Sequence, residues 1–389
     1  MNGFQIPFTG TKRQYQSLRR QLLDTADKVW TTGQHLNGYY TETFEKIIAE
    51  RCDRRFAISV NSGTQALIFA IRSLNLRYQS KIAIPSISFI ATLNSILEND
   101  FLPHIIDVDS EGLIDLAKDS TEMSFDALLY VNLYGNMVDY TKLQLVTEFF
   151  SNKEKHDKFP VIEDAAQSFG STFNGSPSGS FGDVSILSFD PMKNFNSYGS
   201  GGMVLTDNPL YASRIKDLAT NGKENDFEDS GTNSRMSELD CACMLVKLGH
   251  FDTWQKRRTE IAEYWNKEFE NVHNIKTLTL LPTVTSSWHK YPLFVSNTIS
   301  RNRLQHQLRE AGIETKVHYD KPLHKYSSFI NCVSNTYNEA IQSDIEYQAS
   351  QVKEGLKLAN TQLSLPIYPE LTDAEVEHVA TEVKKNAET

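Results

Sequence analysis

Cysteine is scarce, with four in 389 residues, and Cys52 and Cys332 stand far from any other. That count excludes a disulfide framework. Cys241 and Cys243 form one C-x-C without a second pair or a His at ligand spacing, so they read as packing residues on a helix and no metal is expected. Long hydrophobic runs are missing too. No stretch approaches the roughly 18 apolar residues that span a bilayer, and Met1-Asn2-Gly3-Phe4-Gln5 lacks the charged and apolar regions of a secretory leader. The expected location is the cytoplasm, with no membrane partner. Excess positive charge is lacking as well, since 39 Lys+Arg stand against 49 Asp+Glu for a formal net charge of -10. The one dense basic run, Lys256-Arg257-Arg258, is short enough to be a solvated helix face, so nucleic acid is not an expected partner. There is no internal repeat and no low-complexity tract. What remains is a globular chain, 40% hydrophobic and 23% charged, long enough for about two domains.

From about residue 56 to 206, short β-branched runs alternate with helical patterns, the signature of a sheet covered by crossover helices. Phe56-Ala57-Ile58-Ser59-Val60 reads as a strand. A polar turn follows, then Leu67, Ala70, Ile71 and Leu74 recur at helical spacing. Further strands are expected at Lys81 to Pro85, His104 to Val108, Ala127 to Leu133, Pro160 to Asp164, Ser185 to Phe189 and Met203 to Thr206. That makes about seven in one α/β domain. Ser237 to Val272 holds no proline and only Gly249, with Met244, Leu248, Phe251, Trp254, Ile261, Trp265 and Phe269 near the helical period, so it reads as a long connecting helix. An apolar strand at Tyr291 to Val295, a helix from about Arg301 to Ala311 and a C-terminal helix after Thr372 suggest a smaller α+β domain. The predicted division is 1–245 and 246–389. The polar, aperiodic stretch from Thr220 to Asn233 reads as a loop.

Three places carry candidate chemistry. Ser62-Gly63-Thr64 ends a strand and opens a helix, where free N–H groups and the helix dipole favour an anion such as a phosphate; a plain N-cap is the alternative. Asp164, in Val161-Ile162-Glu163-Asp164, ends a hydrophobic strand, where open α/β sheets place ligand-contacting groups. It is either a helix N-cap or a carboxylate that pairs with the protonated nitrogen of a pyridine ring. Lys193 follows the next strand and precedes Gly199-Ser200-Gly201-Gly202. A lysine held off the surface there has its pKa lowered by desolvation, which makes the amine nucleophilic and able to form a Schiff base. The glycine turn lacks the G-x-G-x-x-G spacing of a dinucleotide site. Phosphate cup, ring-nitrogen partner and Schiff-base amine come in the order that a pyridoxal-phosphate enzyme needs them.

The chain resembles the DegT/DnrJ/StrS family of sugar aminotransferases, pyridoxal-phosphate enzymes of fold type I. The likeness runs through Gly33-Gln34, Phe44-Glu45, Ser62-Gly63-Thr64-x-Ala66-Leu67, Pro85-Ser86-x-Ser88-Phe89-x-Ala91-Thr92, Asp107-Val108-Asp109, Tyr134-Gly135, Glu163-Asp164-Ala165-Ala166-Gln167, Ser188-Phe189-x-x-x-Lys193-Asn194 and Gly231-x-Asn233-x-Arg235-Met236-x-Glu238-Leu239. It implies a large domain with a mixed, mostly parallel seven-stranded sheet flanked by helices, and a smaller α+β domain. It also implies Lys193 as the Schiff-base lysine and proton shuttle, Asp164 on the pyridine nitrogen, Phe89 stacked on the ring and Gln167 at the ring hydroxyl. Gly63, Thr64 and Ser188 would bind the phosphate of pyridoxal 5'-phosphate, which alternates with pyridoxamine 5'-phosphate. Asn233 would reach the phosphate of a neighbouring subunit, implying a homodimer with shared active sites.

The implied activity is transfer of an amino group from an amino acid, L-glutamate, to a nucleotide-linked keto-sugar. His318, Tyr319 and His324 lie where the family has a substrate-side loop, with packing as the alternative. Three departures stand out: Ser200 where the family often has an acid, Asn132 where it often has a histidine, and the acidic Thr220 to Asn233 loop. The alternatives are a sugar dehydratase of the same family, whose members carry a histidine where Lys193 stands, and a catalytically silent regulator that kept the fold.

Overall fold

Seven of the β-rich runs pair into one sheet: β1 (Phe56–Val60), β2 (Lys81–Pro85), β3 (Leu102–Ile106), β4 (Ala127–Val131), β5 (Val161–Asp164), β8 (Val184–Ser188) and β9 (Gly202–Thr206). Their order is β1-β9-β8-β5-β4-β2-β3, parallel from β8 to β3, with β9 antiparallel to both its neighbours. The expected mixed, mostly parallel seven-stranded sheet is therefore present. This computed structural model describes residues 5–116, 125–154, 158–226 and 230–387. Met1 to Phe4 and the acidic Glu228 and Asp229 lie outside them.

Two strands, β3 and β4, depart from expectation by two residues, and the others by one at most. β3 begins at Leu102 and stops at Ile106 because Asp107 turns its carboxylate onto the backbone N–H groups of Lys353, Glu354 and Gly355 at 2.8–2.9 Å. β4 stops at Val131 because Tyr134 adopts a left-handed φ of 62° and Gly135 one of 97°. A Cβ on Gly135 would lie 2.8 Å from the backbone nitrogen of Trp288. Glycine there lets the chain of residues 286–290 pack flat on this turn.

Helices cover both faces. α1 (Thr11–Thr32) and α2 (Tyr39–Arg51) precede the sheet; α3 (Gly63–Ser73), α4 (Ile90–Leu97) and α5 (Tyr140–Glu154) connect its strands, and α6 (Pro209–Ala219) follows the last of them. α7 (Glu238–Phe269) is the long helix, capped by the Ser237 hydroxyl accepting from Asp240 N–H. α1 and α2 pack along it. The Glu238 carboxylate accepts from the backbone N–H groups of Gly38, Tyr40 and Thr41, which pins the start of α2 to the start of α7.

Beyond α7, β10 (Ile275–Thr277), β12 (Tyr291–Val295) and β13 (Gln362–Leu365) form an antiparallel sheet, against which α8 (Thr298–Glu310) and α11 (Glu354–Thr361) pack, with α12 (Asp373–Ala387) lying on α7 and α8; α9 (Ser327–Thr336) precedes α10 (Glu339–Gln351), which packs on β3 of the large sheet. A third small sheet joins β11 (Val284–Thr285) to β6 (Thr172–Phe173) and β7 (Ser176–Pro177).

Candidate active site

The site lies where open α/β sheets place ligands, at the carboxyl ends of the parallel strands. Asp164 is the last residue of β5 and Ser188 the last of β8. β1 ends at Val60, and Ser62 caps α3 by accepting from Gln65 N–H at 3.1 Å. The strand-turn-helix at Ser62-Gly63-Thr64 is thus both a capped helix start and part of the site. The glycine turn has a structural reason: a Cβ on Gly202 would lie 2.4 Å from the Ser62 carbonyl oxygen and 2.7 Å from the Gly63 nitrogen. Only glycine lets β9 run so close beneath the start of α3. Gly63 is equally constrained, its Cα facing Ser188 so closely that a Cβ would fall 2.7 Å from the serine's own.

Gly63, Thr64, Phe89, Asp164, Gln167, Ser188 and Lys193 all line one cavity of about 370 Å³, together with His318 and Tyr319. Burial pushes the Asp164 carboxyl up, against the pull of Ala166 N–H, Lys193 and Thr92. One of its oxygens accepts from Ala166 N–H at 3.0 Å; the other has only a 3.5 Å contact with the Thr92 hydroxyl. A buried carboxylate so weakly held suits a cationic N–H presented from the cavity. Burial pushes the Lys193 amine down, with Asp164 and Asp190 opposing. That is the condition for a nucleophilic amine. Its loop is shaped locally: Lys193 N–H donates to Asp190 O at 2.9 Å, and the Asp190 carboxylate accepts from Met192 N–H.

Phe89 is 58% exposed, an apolar face presented to the cavity rather than to the core. Gln167 accepts from Tyr134 N–H at 3.1 Å and donates to the Tyr319 hydroxyl at 2.6 Å, which ties the two sides of the cavity together. A helix N-terminus with two close-set small residues, a flat apolar face, an under-coordinated buried acid and a desolvated amine fit pyridoxal phosphate: anion, ring, ring nitrogen and carbonyl each meet a matching group.

Two predicted residues are not among those lining the cavity. Asn233 is exposed, its side chain accepting from Arg235, and His324 lies in a short 3-10 turn. Of the two single-residue departures, Ser200 lines the cavity. Asn132 does not: it is buried, donates to Glu163 at 2.9 Å and accepts from Val138 N–H. Glu163, one residue before Asp164, points the other way and is consumed by hydrogen bonds from Gly179, Phe181 and Ser185. Sequence reasoning missed His289 and Lys290 in the cavity wall. The available signal was a His-Lys pair interrupting the apolar run from Trp288 to Val295.

The sequence profile of the DegT/DnrJ/EryC1/StrS aminotransferase family matches residues 16–384. Among curated proteins, the chain is similar to the erythromycin biosynthesis sensory transduction protein EryC1 of Saccharopolyspora erythraea, with 31% identity over 98% of this chain and 100% of that one. It is also similar to the dTDP-3-amino-3,4,6-trideoxy-alpha-D-glucose transaminase of Streptomyces venezuelae, with 29% identity over 98% and 96%. Among solved structures, S. venezuelae DesV in complex with a ketimine intermediate superposes with a TM-score of 0.86 at 27% identity, covering 100% of both chains.

Proposed function

This chain belongs to the DegT/DnrJ/EryC1/StrS aminotransferase family, and from that premise we propose how its residues carry out amino transfer and on which substrates. The protein is a pyridoxal-phosphate-dependent sugar aminotransferase. When bound, pyridoxal phosphate supplies the carbonyl carbon through which the amino group passes and a ring that takes up electrons. Asp164 would keep the ring nitrogen protonated, Phe89 would offer its apolar face to the ring and Gln167 would hold the ring hydroxyl. Gly63, Thr64 and Ser188 bind the phosphate at the start of α3. Lys193 is the nucleophilic amine, and it carries the proton to and from the substrate carbon. The observation that bears most weight is the shared cavity of Asp164 and Lys193, one raised and one lowered by the same burial. This set speaks against a silent regulator, and the lysine against a dehydratase.

The donor is L-glutamate and the acceptor a nucleotide-linked keto-sugar, a reading supported by relatives named as transaminases of dTDP- and UDP-linked amino sugars. His318 and Tyr319 face the substrate, while His324 serves packing. Asn233, exposed on its own chain, completes the phosphate site of a partner subunit in a homodimer. Among the described residues no helix is long and apolar enough to cross a membrane, and the cytoplasm, where glutamate is plentiful, is the proposed location. The division at residue 245 is part of the same reading. The test is the visible absorption spectrum of the purified protein with added pyridoxal phosphate, before and after L-glutamate. A yellow band that glutamate bleaches supports cofactor and donor together; absence of the band at every cofactor concentration refutes the assignment.

A further inference from the structure

Lys290 precedes β12 and is 6% exposed, yet it has no acidic partner among the described residues. Its ammonium meets only the Met192 carbonyl oxygen at 3.3 Å and the face of Phe8 at 4.9 Å. Lys316 approaches the same ring at 5.0 Å, and His318 packs on it with centroids 5.5 Å apart. Lys193 shares the cavity. The acids there are committed elsewhere: Asp164 to Ala166 N–H and the ring-nitrogen side, Asp190 to Met192 N–H. The position where the family often has an acid is the neutral Ser200.

A second observation points the same way. His289, 4% exposed and lining the cavity, has a ring nitrogen, Nδ1, without any hydrogen-bond partner. Burial depresses the Lys290 pKa, and Lys193, Arg258 and Lys316 add repulsion against a weaker pull from Asp190. A buried, uncompensated cation is costly unless an anion arrives to pair with it. Lys316 has the Glu314 carboxylate at 3.9 Å and Arg258 is drawn to Glu370, whereas Lys290 meets no carboxylate among the described residues, so it is placed to take a negative charge brought in from outside. Lys290 leads into β12 of the small sheet and lines the same cavity as the start of α3.

Building on the aminotransferase reading, we propose that Lys290, with His289 beside it, is the receptor for a substrate carboxylate brought in next to Lys193. The carboxylate belongs either to the amino donor or to an acidic sugar, and binding experiments separate the two. A carboxylate here orients the donor so that its amino group, rather than its chain, faces Lys193. In the other case it selects keto-sugars that carry an acid.

The test uses the holoenzyme and two unreactive probes, glutarate for the donor and D-glucuronate for the sugar, titrated calorimetrically. Lys290→Gln keeps a donor for the Met192 carbonyl but removes the charge, Lys290→Met removes both, and Lys290→Arg restores the charge. In Lys290→Gln, affinity for one probe should fall roughly 10- to 150-fold, the loss expected for a charge-assisted hydrogen bond, and Lys290→Arg should recover most of it. Loss confined to glutarate, with a matching rise in the L-glutamate concentration that bleaches the yellow band, assigns the site to the donor. Loss confined to glucuronate assigns it to the acceptor. Unchanged affinity for both, no binding of either by the unmodified enzyme, or an equal loss of pyridoxal phosphate affinity in Lys290→Gln overturns the proposal. If glutarate binding depends on Lys290 but glutamate never bleaches the band, the assigned donor is wrong and the carboxylate site stands.

Discussion

Replacing Gly202 by alanine tests whether β9 supports the phosphate cup. The added Cβ would lie 2.4 Å from the Ser62 carbonyl oxygen, whereas ordinary contact begins at 3.4 Å, so relief requires a shift of about 1.0 Å (3.4 − 2.4). Both near atoms are backbone, and Gly202 is held on two sides by Val60 and Ser188, so no side chain can swing away. Overpacking typically costs about 1–3 kcal/mol, and the backbone obstacle places this case near about 3 kcal/mol. For a chain this long, roughly 1–2 °C per kcal/mol converts that to a Tm lower by about 3–6 °C. The movement falls on Gly63 and Thr64, and losing one charge-assisted hydrogen bond to the phosphate would weaken cofactor binding roughly 10- to 150-fold. Gly249→Ala is the control: it lies within α7 with nothing within 4 Å of its Cβ position, so it should gain about 0.5–1 kcal/mol and leave cofactor affinity alone. The assays are thermal unfolding of the apoprotein and titration of the visible band with pyridoxal phosphate. A Gly202→Ala protein with unchanged Tm and unchanged cofactor affinity would refute the reasoning.

Lys193→Ala should keep its fold by circular dichroism while losing the yellow band and all turnover; normal turnover would end the proposed mechanism. Asp164→Asn removes the acid but keeps its shape, so cofactor affinity should fall roughly 10- to 150-fold with turnover falling as well; no helix follows β5 for Asp164 to cap, and equal activity would show that it only holds the turn at Ala166. Hydrogen bonding to Arg13, helped by Thr372, holds the Glu375 carboxyl down at about 2, from an ordinary 4.5, against the opposing effect of burial. Because the folded value is depressed, this pair stabilises fully above about 4.5 and the contribution is lost as pH falls towards about 2. The gap in denaturation midpoint between the natural protein and Glu375→Gln should therefore narrow over that window; a gap independent of pH would mean that the pair contributes nothing through its charge.

The large sheet was legible because its strands are buried on both faces and so read as continuous apolar runs. The two helices before it were passed over. α1 buries Leu18, Leu22, Ala26 and Val29 at helical spacing, but long charged side chains around them mask the stripe. Strand ends were misjudged where side chains rather than backbone propensity decide, as at Asp107, and where a left-handed residue such as Tyr134 stops the run. At the site, the adjacent acids Glu163 and Asp164 look alike in sequence. Alternation along a strand sends them to opposite faces, and only the structure tells which face holds the cavity. Lys290 was invisible for another reason: its importance lies in what fails to accompany it, and the neighbours of a side chain are set by segments as distant as Phe8 and Met192.

The small ladder between β6 and β11 has a consequence for recombination among relatives. A crossover at residue 245 looks natural on paper, since it separates the cofactor-holding part from the rest. It would cut α7 within its first third, and it would set Thr172–Phe173 of one parent against Val284–Thr285 of the other. The same chimera would press the Gly135 turn of one parent onto residues 286–290 of the second, the segment that carries His289 and Lys290 into the cavity. The wall proposed to receive the carboxylate thus rests on a seam that spans both halves, and moving it between relatives means moving the turn at 133–136, the hairpin at 172–177 and the segment at 284–290 as one unit.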